Sequence, residues 1–114
     1  MTNFREFEAL DPFGRNCKVR FVWLQTAISI RHADAVDVKF TVEDGDYRDE
    51  KVIALAHPVL RNIAETGGHP LTDAWVMKMA GAHLKKMIET GQDMEKPLVA
   101  MSRADIEWAR AAVN

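Results

Sequence analysis

The chain has 114 residues, of which 47% are hydrophobic and 28% charged, with a formal charge of −2. That length suits a single domain spanning 1–114, and the composition is that of an ordinary soluble globular protein. It excludes a disordered chain, a collagen-like repeat and a disulfide-stapled miniprotein.

The longest apolar run is Val52–Ala56, far short of the roughly 20 residues that span a bilayer. No membrane partner is therefore expected. Charge is balanced along the chain: residues 1–57 carry 8 basic and 10 acidic groups, and residues 58–114 carry 7 of each. Without a basic lobe there is no long-range field to gather nucleic acid, and no nucleic-acid partner is expected. The single cysteine, Cys17, cannot form an internal disulfide, which fits a reducing compartment. The opening MTNFREFEALDP has no apolar stretch of the signal-peptide kind, and a cytoplasmic location is expected.

Residues 2–10 place Phe4, Phe7 and Leu10 at helical spacing, so residues 1–16 read as an N-terminal arm or short helix. Asp11–Gly14 reads as a turn. Lys18–Arg31 looks like strand, with Val22, Leu24, Thr26, Ile28 and Ile30 on one parity and Val19, Phe21 and Trp23 on the other. Its beginning is thus apolar on both faces, as in one long strand or two strands broken near Gln25–Ala27. His32–Ala35 is a plausible reversal. In Val36–Glu43 valine and phenylalanine alternate with polar residues, the mark of a half-buried antiparallel strand. Asp44-Gly45 then predicts a tight type I′ hairpin. A further strand is expected within Tyr47–Ala56; Lys51–Ala56 reads as strand rather than short helix because Val52 and Ile53 are β-branched and Pro58 blocks a continuing helix.

Pro58 suits the first turn of a helix near 58–66, with Gly67 just past its end. Thr72 is a good N-cap for a helix over 72–90, Asp73 favours its dipole, and Gly91 stops it. Pro97–Met101 reads as an extended edge. Ser102–Asp105 resembles a capping box opening a last helix over 102–113.

The helix over 72–90 resists a simple reading. At about 100° per residue, Trp75, Val76, Met77, Met79, Ala80, His83, Leu84, Met87 and Ile88 fill an arc of about 220°, roughly twice that of a helix lying on one sheet. It is expected to be buried on two sides, against the sheet and either the other helices or a second subunit. Gly81 between two alanines would let another backbone approach, and the methionines supply adaptable packing. His83 lies near the middle of the arc. The plain reading is a buried neutral histidine; the functional one is a ligand-facing imidazole with a lowered pKa. Asp73, ten residues earlier, is about 15 Å away along the axis and cannot orient it.

The remaining constellations carry less. His32, His57, His69 and His83 have spacings of 25, 12 and 14, which match no zinc motif, so no metal or cofactor is expected. Asp44 and Asp46 suggest a calcium loop, but Arg48 and Asp49 stand where an Asp or Asn and then Gly belong. Cys17 beside Lys18 lacks the surroundings of a reactive thiol. The helices at 58–66 and 72–90 are joined by too long a turn for helix-turn-helix.

The expected fold is α+β: an antiparallel sheet of three to four strands within 18–56, with or without 97–101, packed against helices near 58–66, 72–90 and 102–113. No catalytic residue is assigned, and whether the chain is an enzyme stays open. The leading expectation is a small non-catalytic interaction domain that self-associates, as a homodimer, or takes a protein partner. The surplus apolar surface of helix 72–90 or strand 19–24 would supply the interface. The alternative is a small-molecule binder or small enzyme with a sheet–helix pocket lined by Trp75, Met79 and His83.

Overall fold

A computed structural model describes residues 4–27 and 35–113. Five strands, β1 (Glu6–Leu10), β2 (Asn16–Ala27), β3 (Ala35–Asp44), β4 (Tyr47–Ala56) and β5 (Leu98–Met101), form one sheet in the order 1-2-3-4-5. Three helices, α1 (His57–Gly67), α2 (Asp73–Thr90) and α3 (Arg103–Val113), complete the α+β fold. The first four strands are an antiparallel meander, and β5 joins β4 in parallel. A parallel pair needs a crossover, which here is the helical segment between β4 and β5. Of the expected reversal His32–Ala35, residues 32–34 lie outside the described residues, as do residues 28–31 with their expected outer parity, and Ala35 opens β3.

The N-terminal segment differs from expectation. Residues 6–10 form an edge strand rather than a helix, because Phe7 and Ala9 alternate inward with period two while Glu6, Glu8 and Leu10 face out. Phe4 leaves that pattern and docks on α2. The two-faced apolar start of β2 has a related cause. Phe21 pairs with Phe40 and Trp23 with Lys39, so Val22 is an extra residue in a β-bulge. A bulge switches which parity faces the core: before it Cys17, Val19 and Phe21 register with core-facing positions, and after it Leu24 pairs with Val38. Trp23 is thereby turned to the outer face, with the ammonium of Lys39 5.8 Å from its ring centre.

The β3–β4 hairpin turns one residue later than expected. Asp44 pairs with Tyr47, leaving Gly45 and Asp46 as the loop. Gly45 has φ +59° and Asp46 is not left-handed, which is the II′ pattern with glycine first. In α1 the left-handed cap is Gly68, not Gly67: its N–H donates to Glu65 O, and His69 N–H donates to Ala64 O.

The other helix signals act as read. Thr72 Oγ1 accepts from Trp75 N–H at 3.2 Å. Ser102 and Asp105 cap each other reciprocally, Ser102 N–H to Asp105 Oδ2 at 3.0 Å and Asp105 N–H to Ser102 Oγ at 3.1 Å.

The core lies between the helices and one face of the sheet. Val19, Val38, Phe40, Ile53 and Leu55 rise from the strands to meet Leu60, Met79, Leu84 and Ile106, all essentially inaccessible. α2 is covered further round than its arc predicts, since Gly81 and Ala82 are buried too. The cover comes from the chain itself. The sheet lies on one side and α3 on another. Phe4 fills the third: a Cβ placed on Gly81 would lie 2.8 Å from that of Phe4.

No helix of the described residues is long and apolar enough to cross a membrane.

Candidate functional site

Among the described residues, no helix lies on the sheet's outer face. Cross-strand register gives its composition row by row. One end is a charged mosaic in which Lys18, Glu43 and Arg48 lie abreast, then Arg20, Thr41 and Glu50. The next row runs Trp23, Lys39, Val52 and Leu98, and the one after Gln25, Asp37, Ala54 and Ala100. Lys39 Nζ is 2.9 Å from Glu50 Oε2. Leu98 is 57% exposed and Val22 45%. Asp37 lies between Gln25 and Ala54 in its row, and partial withdrawal from water pushes its carboxyl above the ordinary aspartate value.

At the charged end of the sheet, the β1–β2 turn, the β3–β4 hairpin, the end of α2 and the loop after it enclose a cavity of about 330 Å³. Each wall has a local cause. Asp11 builds its own turn: Oδ1 accepts from Phe13 N–H (2.9 Å) and Arg15 N–H (2.8 Å), and Oδ2 from Arg15 Nε (2.8 Å). Partial desolvation of Asp11 opposes ionisation, but these hydrogen bonds outweigh it and hold the carboxyl below its ordinary value. The same guanidinium lies 3.6 Å from Asp44 Oδ2. Gly91, left-handed at φ +73°, ends α2 against Pro12; a Cβ there would stand 3.4 Å from the proline ring.

Behind the cavity is a residue that the alternation of β4 contains but the sequence reading passed over. Lys51 shares the inward parity of Ile53 and Leu55 and is 1% exposed. Its ammonium donates to the carbonyls of Met94 and Lys96, the latter at 3.0 Å, and lies 3.2 Å from Asp49 Oδ2. A buried charge needs partners of this kind, and here they fasten the loop after α2 to the sheet. Asp49 itself faces the cavity.

Cys17 also lines it, 7% exposed. Desolvation, with the nearby charges of Asp11 and Asp44, pushes its pKa up. The sulfur is kept as a thiol, a poor nucleophile. Among the described residues, no histidine lines this cavity. Its lining combines the carboxylates of Asp11, Asp44 and Asp49, the Arg15 guanidinium, two exposed rings and apolar side chains.

The three residues singled out in the sequence lie elsewhere. Trp75 is buried at the start of α2 with its ring stacked on His69 at 4.4 Å. Met79 is fully buried in the core. His83 is 8% exposed, and its Nδ1 has no hydrogen-bond partner among the described residues. Burial lowers its pKa, against the pull of Asp105 and Asp93 and with the push of Lys86. None of the three borders the cavity at the hairpin ends. A second hollow, of about 320 Å³, does open between β2 and the first turns of α2, but Met77 and Asp73 line it rather than these residues. Among the described residues, no three His, Cys, Asp or Glu side chains converge as metal ligands would.

Comparison with protein-family models, with curated proteins and with solved structures finds no match.

Proposed function

We propose that this chain is a non-catalytic interaction domain that pairs with a second copy of itself through the outer face of the sheet. The observation that carries the reading is the row Trp23–Lys39–Val52–Leu98, apolar but for Lys39, on a face that no helix of the described residues covers. The other surface with surplus hydrophobicity, α2, is already wrapped by its own chain. Three central strands of ten to twelve residues, with their short neighbours, present roughly 20 by 30 Å of face at about 4.8 Å per strand and 3.3 Å per residue. That is roughly 600 Å², near the about 800 Å² per partner of a standard interface.

A second copy suits the charge pattern. The face mixes both signs in neighbouring positions, as in Glu6–Arg20 and Lys39–Glu50. A two-fold pairing therefore brings together complementary mosaics and not two fields of one sign. A cytoplasmic setting agrees with the unpaired Cys17. A small-molecule pocket around His83 draws less support, because the cavity at the hairpin ends and the hollow beside β2 are both lined by other residues.

The test is multi-angle light scattering across a concentration series, with Leu98→Lys as the disrupting variant. Leu98 is largely exposed, so the variant keeps the monomer folded while placing a charge on the edge strand β5, at the end of the row proposed to pair. A concentration-dependent dimer that Leu98→Lys dissociates supports the reading. A wild-type chain that stays monomeric up to about 1 mM, weaker than the affinity range of specific pairs, overturns it.

A further inference from the structure

We propose that the cavity at the hairpin ends binds a small organic ammonium ion, with Asp44 as its counter-charge and the rings of Phe13 and Tyr47 closing over it. This site is separate from the sheet face above.

The first argument is the charge inventory. Asp49 is matched by Lys51 at 3.2 Å. Asp11 is matched by Arg15 and two backbone N–H groups. Among the described residues Asp44 is met only by that same guanidinium, whose Nε, already bonded to Asp11, lies 3.6 Å away. Two carboxylates share one cation, and the wall keeps one negative charge unmatched. A monocation restores the balance, whereas an anion would add to the surplus.

The rim supplies the second argument. Phe13 is 85% exposed and Tyr47 66% exposed, and both line the cavity. Flanking a carboxylate, they present the negative ring faces that attract ammonium groups. Arg15 already lies 5.8 Å from the Phe13 ring centre in this way.

The interior gives the third. Beneath the rim the wall is apolar, formed by Val42, Ile88 and the side of Met94, and the Cys17 thiol adds no charge. A volume of about 330 Å³ lies at the small end of ligand pockets. The ligand class is therefore an amine with a compact hydrophobic body, its head at Asp44 and its body toward α2. Lys51 contributes by holding the Met94 loop in place rather than by touching the ligand.

The experiment titrates the ¹⁵N-labelled chain with phenethylammonium, and with 3-phenylpropionate as a probe of like shape and opposite charge. Saturable amide shifts at 11–15, 44–47 and 91–94 are expected with the amine and none with the acid. Asp44→Asn should weaken the amine roughly tenfold or more, the loss of a charge-assisted contact. Phe13→Ala, at an exposed position that the fold does not need, should weaken it roughly two- to fivefold. The proposal is overturned if the amine causes no shifts there up to about 10 mM, well above weak-fragment affinities. It also falls if the acid binds as well as the amine, or if folded Asp44→Asn, judged by its own amide spectrum, binds with wild-type affinity.

Discussion

Replacing Gly81 by alanine tests the packing of α2 through the sign of a stability change. In a helix interior, glycine to alanine ordinarily gains about 1 kcal/mol, because glycine loses more backbone freedom on folding. Here the new Cβ would lie 2.8 Å from the Cβ of Phe4, 3.1 Å from its Cδ1 and 3.2 Å from its Cγ. The nearest atom is the root of the phenylalanine side chain, which no rotamer change can withdraw, so the arm has to move. Phe4 is half-buried and meets Phe7 edge-on at 5.8 Å and 74°. Losing half of a phenylalanine's burial costs about 1 kcal/mol, and losing the ring pair about another 1 kcal/mol.

Alanine at 81 should therefore destabilise the wild-type chain by about 1 kcal/mol, lowering Tm by roughly 4 °C in a domain of this size. With Phe4→Gly the obstruction is gone. The same Gly81→Ala should then stabilise by about 1 kcal/mol and raise Tm by a similar amount. Urea and thermal unfolding of the four-member cycle measure both signs, and the coupling energy should come to about 2 kcal/mol. If Gly81→Ala raises Tm equally in both backgrounds, Phe4 does not cover α2, and the account of its third side is wrong.

Two further changes probe the buried polar groups. Lys51→Met keeps the side chain's length while removing the ammonium that serves Met94 O, Lys96 O and Asp49. It should cost about 2 kcal/mol in urea unfolding, as deleting one member of a buried charged set does, and should speed amide exchange across 92–97; unchanged stability would mean the ammonium contributes nothing there. His83 is held below its ordinary pKa, first by desolvation, then by Lys86, against Asp105 and Asp93. The unfolded chain then takes up a proton that the folded one resists. Stability is whole above the unfolded histidine pKa of about 6.5 and declines as pH falls below it. Urea midpoints at pH 7.5 and 5.5, roughly a unit either side of that value, should show His83→Gln losing part of the wild-type decline; identical declines would assign it to other groups.

Much of the fold was legible because its signals are local. Strict alternation over Val36–Glu43 specified β3, and Thr72, Gly91 and the Ser102–Asp105 pair specified where helices begin and end. The misreadings arose where one residue's placement depends on a distant strand. The bulge at Val22 is visible only against β3, since without a partner an extra residue looks like apolar character on both faces. Phe4 and Phe7 have helical spacing by coincidence: one caps Gly81 and the other faces the core of a strand. Lys51 was in reach of a parity argument, because Ile53 and Leu55 carry the inward phase back to it, yet a lysine reads as outward on composition alone. The cavity left no local trace at all. Its walls come from residues 11–17, 42–49 and 88–94, and only the meander and the length of α2 bring them together.

A wide apolar arc on a helix states how much cover it needs and is silent on who provides it. α2 satisfies that need with the sheet, α3 and a phenylalanine from the N-terminal arm, so a partner has nothing to gain there. The arm that closes the last side leads straight into β1, where Phe21 N–H donates to Arg5 O at 2.7 Å and Phe7 registers with Val19. β1 in turn delivers Asp11–Arg15 to the cavity. Covering the helix and building the polar end of the sheet are thus linked along one short stretch of chain. A change that frees Phe4 should loosen the Asp11–Arg15 wall while leaving the Trp23–Val52–Leu98 row as it is, and the two proposed surfaces can be separated experimentally on that basis.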